Sequence, residues 1–173
     1  SLTFLKYDTV LHNNISFLKD AIDSTKLRDK FDYILIDSPP TVSDYTTAAM
    51  IASDGFVAPV QHYLSVTGLL ILDYYIEQII PKKGLKVNLS SRGIIFNNVN
   101  VNHTAFHKAY NILTQSPNYK AYLYSNLLPS SVSVIYDPEI TNISKRFYVN
   151  QRGPNSLSEP IIKLTQEFIK RTN

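Results

Sequence analysis

The chain has 173 residues, 44% hydrophobic and 18% charged, and 17 Lys+Arg against 14 Asp+Glu leave a formal net charge of +3. That length suits one domain with a substantial core and is short for two, while twelve Tyr and eight Phe exclude a disordered chain. No apolar run reaches the roughly 18–20 residues of a membrane helix, and the absence of Cys excludes a disulfide framework, a thiolate zinc site and a thiol nucleophile.

In chain order, Leu2 to Lys6 reads as a short strand. Leu11, Ile15, Leu18, Ile22 and Leu27 then recur at helical spacing from about Val10 to Leu27. Phe31-Asp32-Tyr33-Ile34-Leu35-Ile36-Asp37 is a nearly continuous apolar run, the pattern of a strand covered on both faces of a parallel sheet. Ser38-Pro39-Pro40 ends it, because proline cannot continue a central strand. Asp44 is expected to cap a short helix through Ile51, and Gly55 to Val60 to form another buried strand. Thr67 to Ile80 predicts a helix stopped by Pro81, and Arg92 to Asn97 a further strand. Thr104 to Thr114 reads as helix and Lys120 to Leu127 as strand. Ser156 and Glu159 have capping-box spacing before a last helix carrying Ile161, Leu164, Phe168 and Ile169, with Pro160 in its first turn. This alternation predicts a single α/β domain over residues 1–173, with a mostly parallel sheet and helices on both faces.

In such sheets ligands bind at the carboxyl ends of the strands. Asp37 ends the most hydrophobic predicted strand, where a carboxylate can hold Mg²⁺, usually through water, beside nucleotide phosphates. The alternative is an Asp that caps the following turn. His103 and His107 are four apart, but no Glu-Xaa-Xaa separates them and no third ligand is near, so a zinc site is not expected.

Asp37-Ser38-Pro39-Pro40 resembles the Walker B stretch of the ParA/MinD group, the deviant P-loop ATPases of plasmid and chromosome partition. Ala52 to Gln61, Tyr63 to Leu70, Arg92 to Asn97, Leu127-Leu128-Pro129 and the closing Glu159 to Ile169 resemble later segments of that family in the same order. The resemblance implies a P-loop NTPase-like fold, use of ATP and Mg²⁺, a homodimer and non-specific DNA binding. It also implies a ParB-like centromere-binding partner and a cytoplasmic, nucleoid-associated life in a bacterium, with no membrane role. It would make Asp37 the residue that holds Mg²⁺ and helps place the hydrolytic water, and would set Asn97 and Pro129 at the adenine. Turn chemistry is the other reading of Asn97, since Asn98, Asn100 and Asn102 crowd behind it.

One departure is large. The family's Gly-rich, Lys-bearing phosphate loop is not found: no Gly precedes Gly55 and no Gly-Lys pair exists. The chain also opens Ser1-Leu2 without Met, so it is expected to be a P-loop-lacking portion of such an ATPase, inactive alone. The alternatives are a tyrosine-kinase domain of the bacterial polysaccharide-export type, and a non-catalytic binding module that has lost its P-loop.

Charge is local. Residues 1–138 hold 11 basic and 11 acidic side chains, whereas residues 139–173 carry the whole +3. Lys145 and Arg146, with Lys82 and Lys83, are the candidate DNA-phosphate contacts, an ordinary solvated face being the alternative.

Overall fold

The structure, a computed structural model, describes residues 14–39, 41–130 and 157–173. These divide into two units, one built from the chain up to Phe56 plus residues 71–90, the other from 57–70 and 91 onward.

In the first unit, α1 (Phe17–Ser24) packs on α2 (Asp44–Ala52). The start of α2 is fixed by Ser43, whose hydroxyl accepts the Thr46 N–H at 3.3 Å. Asp44 is therefore the first helical residue and Ser43 the cap, one position earlier than expected. Ile22 from α1 and Ala48, Ala49, Met50 and Ala52 from α2 are buried. Arg28, in a 3-10 turn over Leu27–Asp29, finishes the other end of α2. Its guanidinium donates to the Ala52 carbonyl at 3.1 Å and to Asp54 at 2.7 Å.

A long helix, α3 (Tyr63–Tyr74), continues through a π turn at Tyr75–Ile79 and a last α turn at Ile80–Lys82. Pro81 therefore lies inside the helix instead of stopping it. Its ring has no N–H to give and would crowd the carbonyl four residues back in a regular turn, a conflict that widening to π spacing relieves. Gly84 is the true stop. At φ +73° it lets Leu85 N–H reach Ile80 O and its own N–H reach Pro81 O, a Schellman end. Tyr75 and Ile80 join Met50 in the core of this unit, with Leu72, Ile76, Ile79, Leu85, Val87 and Leu89 packed around them. The buried Tyr75 hydroxyl lies 2.6 Å from Thr47 Oγ1, and Thr47 donates to Ser43 O at 2.9 Å, so the tyrosine must be the donor.

In the second unit, strands β1 (Gly55–Val60) and β2 (Ser90–Phe96) end side by side, Asn97 N–H donating to Val60 O at 2.9 Å. Residues 123–130 run parallel to β2, with Tyr124 N–H on Ile94 O and Leu128 N–H on Phe96 O. Four residues on this segment thus span two on β2, and the slack falls at Ser125 and Asn126. That bulge, with a 3-10 turn at Lys120–Tyr122, replaces the regular strand expected from Lys120 to Leu127. The last helix, α5 (Ser158–Thr172), takes up the freed donors. Glu167 accepts Ser125 N–H at 2.8 Å, Asn126 N–H at 3.0 Å and the Asn126 amide at 2.7 Å. Arg171 pairs with Glu167 and donates to the Tyr122 and Leu123 carbonyls. Burial pushes the Glu167 carboxyl up, but these donors outweigh it and hold it below its ordinary value. Helix α4 (Thr104–Gln115) buries Phe106, Ala109 and Leu113, its Phe106 ring edge-on to Phe96 at 5.1 Å.

Several expectations change. The described part of the first predicted helix is limited to Phe17–Ser24, and Leu27 falls in the 3-10 turn. Leu157, not Ser156, occupies the cap position of α5 without a side-chain bond, and Ser156 lies outside the described residues, as does Leu2 to Lys6. Phe31 to Asp37 is not a strand and is not buried: Phe31 is 58% exposed and Leu35 82%. Whether such a run is covered depends on what packs over it, not on its own composition. The class is nonetheless α/β with parallel pairing.

Gly93 adopts φ +142°, and a Cβ there would overlap the Tyr124 ring. Gly93→Ala is expected to destabilise the protein by about 2 kcal/mol or more, read from the urea midpoint. Glu167 contributes stability fully above its unfolded pKa, about 4.3, and loses it as pH falls through the lower folded value. Glu167→Gln should cost about 1–3 kcal/mol at neutral pH and flatten the acid limb of a stability–pH curve.

Candidate functional site

Each unit carries one part of the candidate machinery. In the first, Asp37 is exposed, and among the described residues no hydrogen bond or ion pair reaches its carboxylate. The helix that follows, α2, is capped by Ser43 and not by Asp37. A single carboxylate of this kind suits Mg²⁺, which keeps most of its waters and is completed by phosphates. No group of three or more His, Asp or Glu that could hold a metal occurs among the described residues.

In the second unit the carboxyl ends of the parallel segments meet. Asn97 follows β2, and Val99 bridges to Pro129 with Val99 N–H on Leu128 O at 3.1 Å and Ser130 N–H on Val99 O at 2.8 Å. Asn97 and Pro129, named from the sequence, thus lie on one rim. The Asn97 side chain is exposed, and its amide makes no hydrogen bond among the described residues. It can therefore offer one donor and one acceptor edge to a planar ligand. Asn98 is the turn residue, in the left-handed region at φ +53°. Its carbonyl accepts from Gln61 Nε2 at 3.1 Å, a contact that sequence reasoning missed. Gln61 directly follows Val60, the last residue of β1, which was the available signal. His103 is the α4 cap, its Nδ1 accepting Ala105 N–H at 3.2 Å, so that nitrogen is already engaged.

The residues proposed for phosphate contact are unequal. Lys82 is exposed at the end of the long helix, whereas Lys83 lies 3.8 Å from Asp44 and over the Tyr75 ring at 6.0 Å. Lys145 and Arg146 lie outside the described residues. Among the described residues no helix is long and apolar enough to cross a membrane. No Gly-Lys pair occurs in the sequence.

A family model described as an AAA domain matches residues 3–91. The chain is 27% identical over 98% of its length to a chromosome partitioning protein ParA of Myxococcus xanthus, covering 57% of that protein. It is 24% identical over 89% of its length to a chromosome partitioning protein ParA of Caulobacter vibrioides, covering 55% of it. An uncharacterized protein of Pseudomonas putida is 40% identical over 46% of the chain, which covers 29% of that relative. The chain spans about half, or less, of the length of these curated relatives.

Because Asp37 has no internal partner among the described residues, Asp37→Ala should leave the unfolding free energy, read from urea unfolding, within about 0.5 kcal/mol of the parent's. A loss above about 1 kcal/mol in urea unfolding would mean that its carboxylate supports the fold.

Proposed function

The chain belongs to the AAA domain family in its ParA-like form, and on that premise we propose that it is the base-binding and metal-binding part of a partition ATPase. The observation that carries this reading is the rim at Asn97. An amide with no internal partner among the described residues stands at the carboxyl ends of parallel segments, where an α/β sheet takes its ligand. Asn97 would contact adenine, Pro129 would flank it, and Asp37 would hold Mg²⁺ through water. The metal, when bound, neutralises developing phosphate charge. Asp37 would also orient water for hydrolysis, since among the described residues no bond reaches its oxygens.

As in the ParA resemblance, the protein would form a homodimer around nucleotide, bind DNA without sequence preference and answer to a ParB-like partner in a bacterial cytoplasm. Lys82 and Lys83, with Lys145 and Arg146, are the proposed phosphate contacts. Of the two described, Lys82 carries more of the expected effect because Lys83 already faces Asp44.

The test is calorimetric titration of the full-length protein with ATP and Mg²⁺, beside hydrolysis assays. Asn97→Ala should weaken ATP about tenfold, and Asp37→Asn should lower hydrolysis at least tenfold, as an order of magnitude, with little change in Mg²⁺-free binding. Absence of ATP binding by the full-length protein would end the proposal.

A further inference from the structure

We propose that Glu167 is a positioning residue for the base end of the site: by holding the bulge at Ser125 and Asn126 it selects the register that brings Pro129 level with Val99, beside Asn97. This rests on the nucleotide-binding reading above.

Two registers compete for one acceptor. Starting from Tyr124 N–H on Ile94 O, a regular parallel ladder would place Asn126 N–H on Phe96 O and Leu128 N–H on Asn98 O. The structure gives Phe96 O to Leu128 N–H instead, at 2.8 Å, an advance of two residues. Between Phe96 and Val99 the β2 side then uses three residues against two, with Asn98 in the left-handed region at φ +53°. The net slip is one residue: Leu123 pairs with Ile94 and Pro129 with Val99, six steps on one side against five on the other. In the regular register Leu128 would face Val99, and Pro129 would move on to Asn100, beyond the rim.

Glu167 favours the bulged register because only there is its carboxylate needed by Asn126. In the regular ladder Asn126 N–H has Phe96 O. In the bulge it has Glu167, which accepts it at 3.0 Å and the Ser125 N–H at 2.8 Å. The carboxylate is 13% exposed, so water is a poor substitute, and a buried donor without an acceptor is costly. Arg171 fixes the same carboxylate, with Nε at 3.2 Å and Nη2 at 2.9 Å, while donating to the Tyr122 and Leu123 carbonyls. The register of the rim is thus set by side chains of α5, 41 and 42 residues further along the chain. Asp37 belongs to the other unit, so a change of register alters the base end and leaves the metal end as it is.

The experiment measures affinity for ATP and for inorganic tripolyphosphate, each with Mg²⁺, in the full-length protein, beside urea unfolding. Glu167→Gln keeps the shape but turns one acceptor oxygen into a donor facing N–H groups. Arg171→Lys is milder, keeping the charge and losing the fork. Leu69→Val shortens a buried side chain of α3 and lowers stability by another route. Glu167→Gln should weaken ATP about tenfold and Arg171→Lys about threefold, both with tripolyphosphate unchanged, and Leu69→Val should alter neither ligand. If Glu167→Gln keeps its ATP affinity while Asn97→Ala loses it, Glu167 does not set the rim and the nucleotide reading survives. Equal losses for ATP and tripolyphosphate, or an ATP loss in Leu69→Val as large as in Glu167→Gln, would overturn the inference as a general effect on the fold. Should Glu167→Gln fail to fold, Arg171→Lys decides: a loss selective for ATP supports the inference, and an equal loss or none overturns it. Parent protein that binds neither ligand would remove the nucleotide reading and this inference with it.

Discussion

Parallel backbone bonding between β2 and the segment at residues 123–130 is the constraint on which the second unit depends. Ile94 and Phe96 accept from Tyr124 and Leu128, and Val99 exchanges bonds with Leu128 and Ser130. Because four residues on one side answer two on the other, two N–H groups are left without a strand partner. Buried or half-buried donors of that kind are costly unless something accepts them. Glu167 accepts both, and Arg171 serves the carbonyls just before them, so α5 finishes the outer edge with side chains where another strand would have used main chain. Gly93 belongs to the same constraint, since the Tyr124 ring occupies the space that a Cβ would need. The Arg171 guanidinium in turn lies 4.4 Å from the Tyr124 ring centroid, which joins edge, glycine and helix in one cluster.

The first unit rests on a different device, a buried polar chain. Tyr75 donates to Thr47 and Thr47 to the Ser43 carbonyl, so the only buried polar residue of the described core is fully paired. This chain ties the π turn of the long helix to the cap of α2, the helix that follows the Asp37 segment. The π turn itself is what allows Pro81 to sit within a helix that continues to Lys82. Lys82 is consequently presented at a helix end that Gly84 closes.

Much of this was readable in the residues. Gly55 to Val60 and Arg92 to Asn97 read as strands and are strands, and Thr104 to Thr114 is helix within one residue. Asn97 directly follows β2, and Pro129 bridges to Val99 two residues further on. What was not legible depended on partners far along the chain. Glu167 and Arg171 have ordinary i, i+4 helix spacing, and nothing local says that they meet Ser125 and Tyr122. Gln61 reads as a polar residue after a strand until β2 lies beside it. Proline opposes regular α spacing, so Pro81 by itself points to a stop, and the chain answers by changing the spacing instead.

The sequence by itself determined the α/β class, the parallel sheet and the family likeness, because hydrophobic period, turn residues and motif order are local properties that survive without coordinates. It also determined that no Gly-Lys phosphate loop is present. Tertiary structure decided which apolar run became covered. Phe31 to Ile36 has the composition of a central strand yet stays largely exposed, while Gly55 to Val60, with a proline in it, is paired. The reason is that burial and strand pairing are properties of neighbours: a segment supplies the side chains, but only a bonded partner removes its backbone from water.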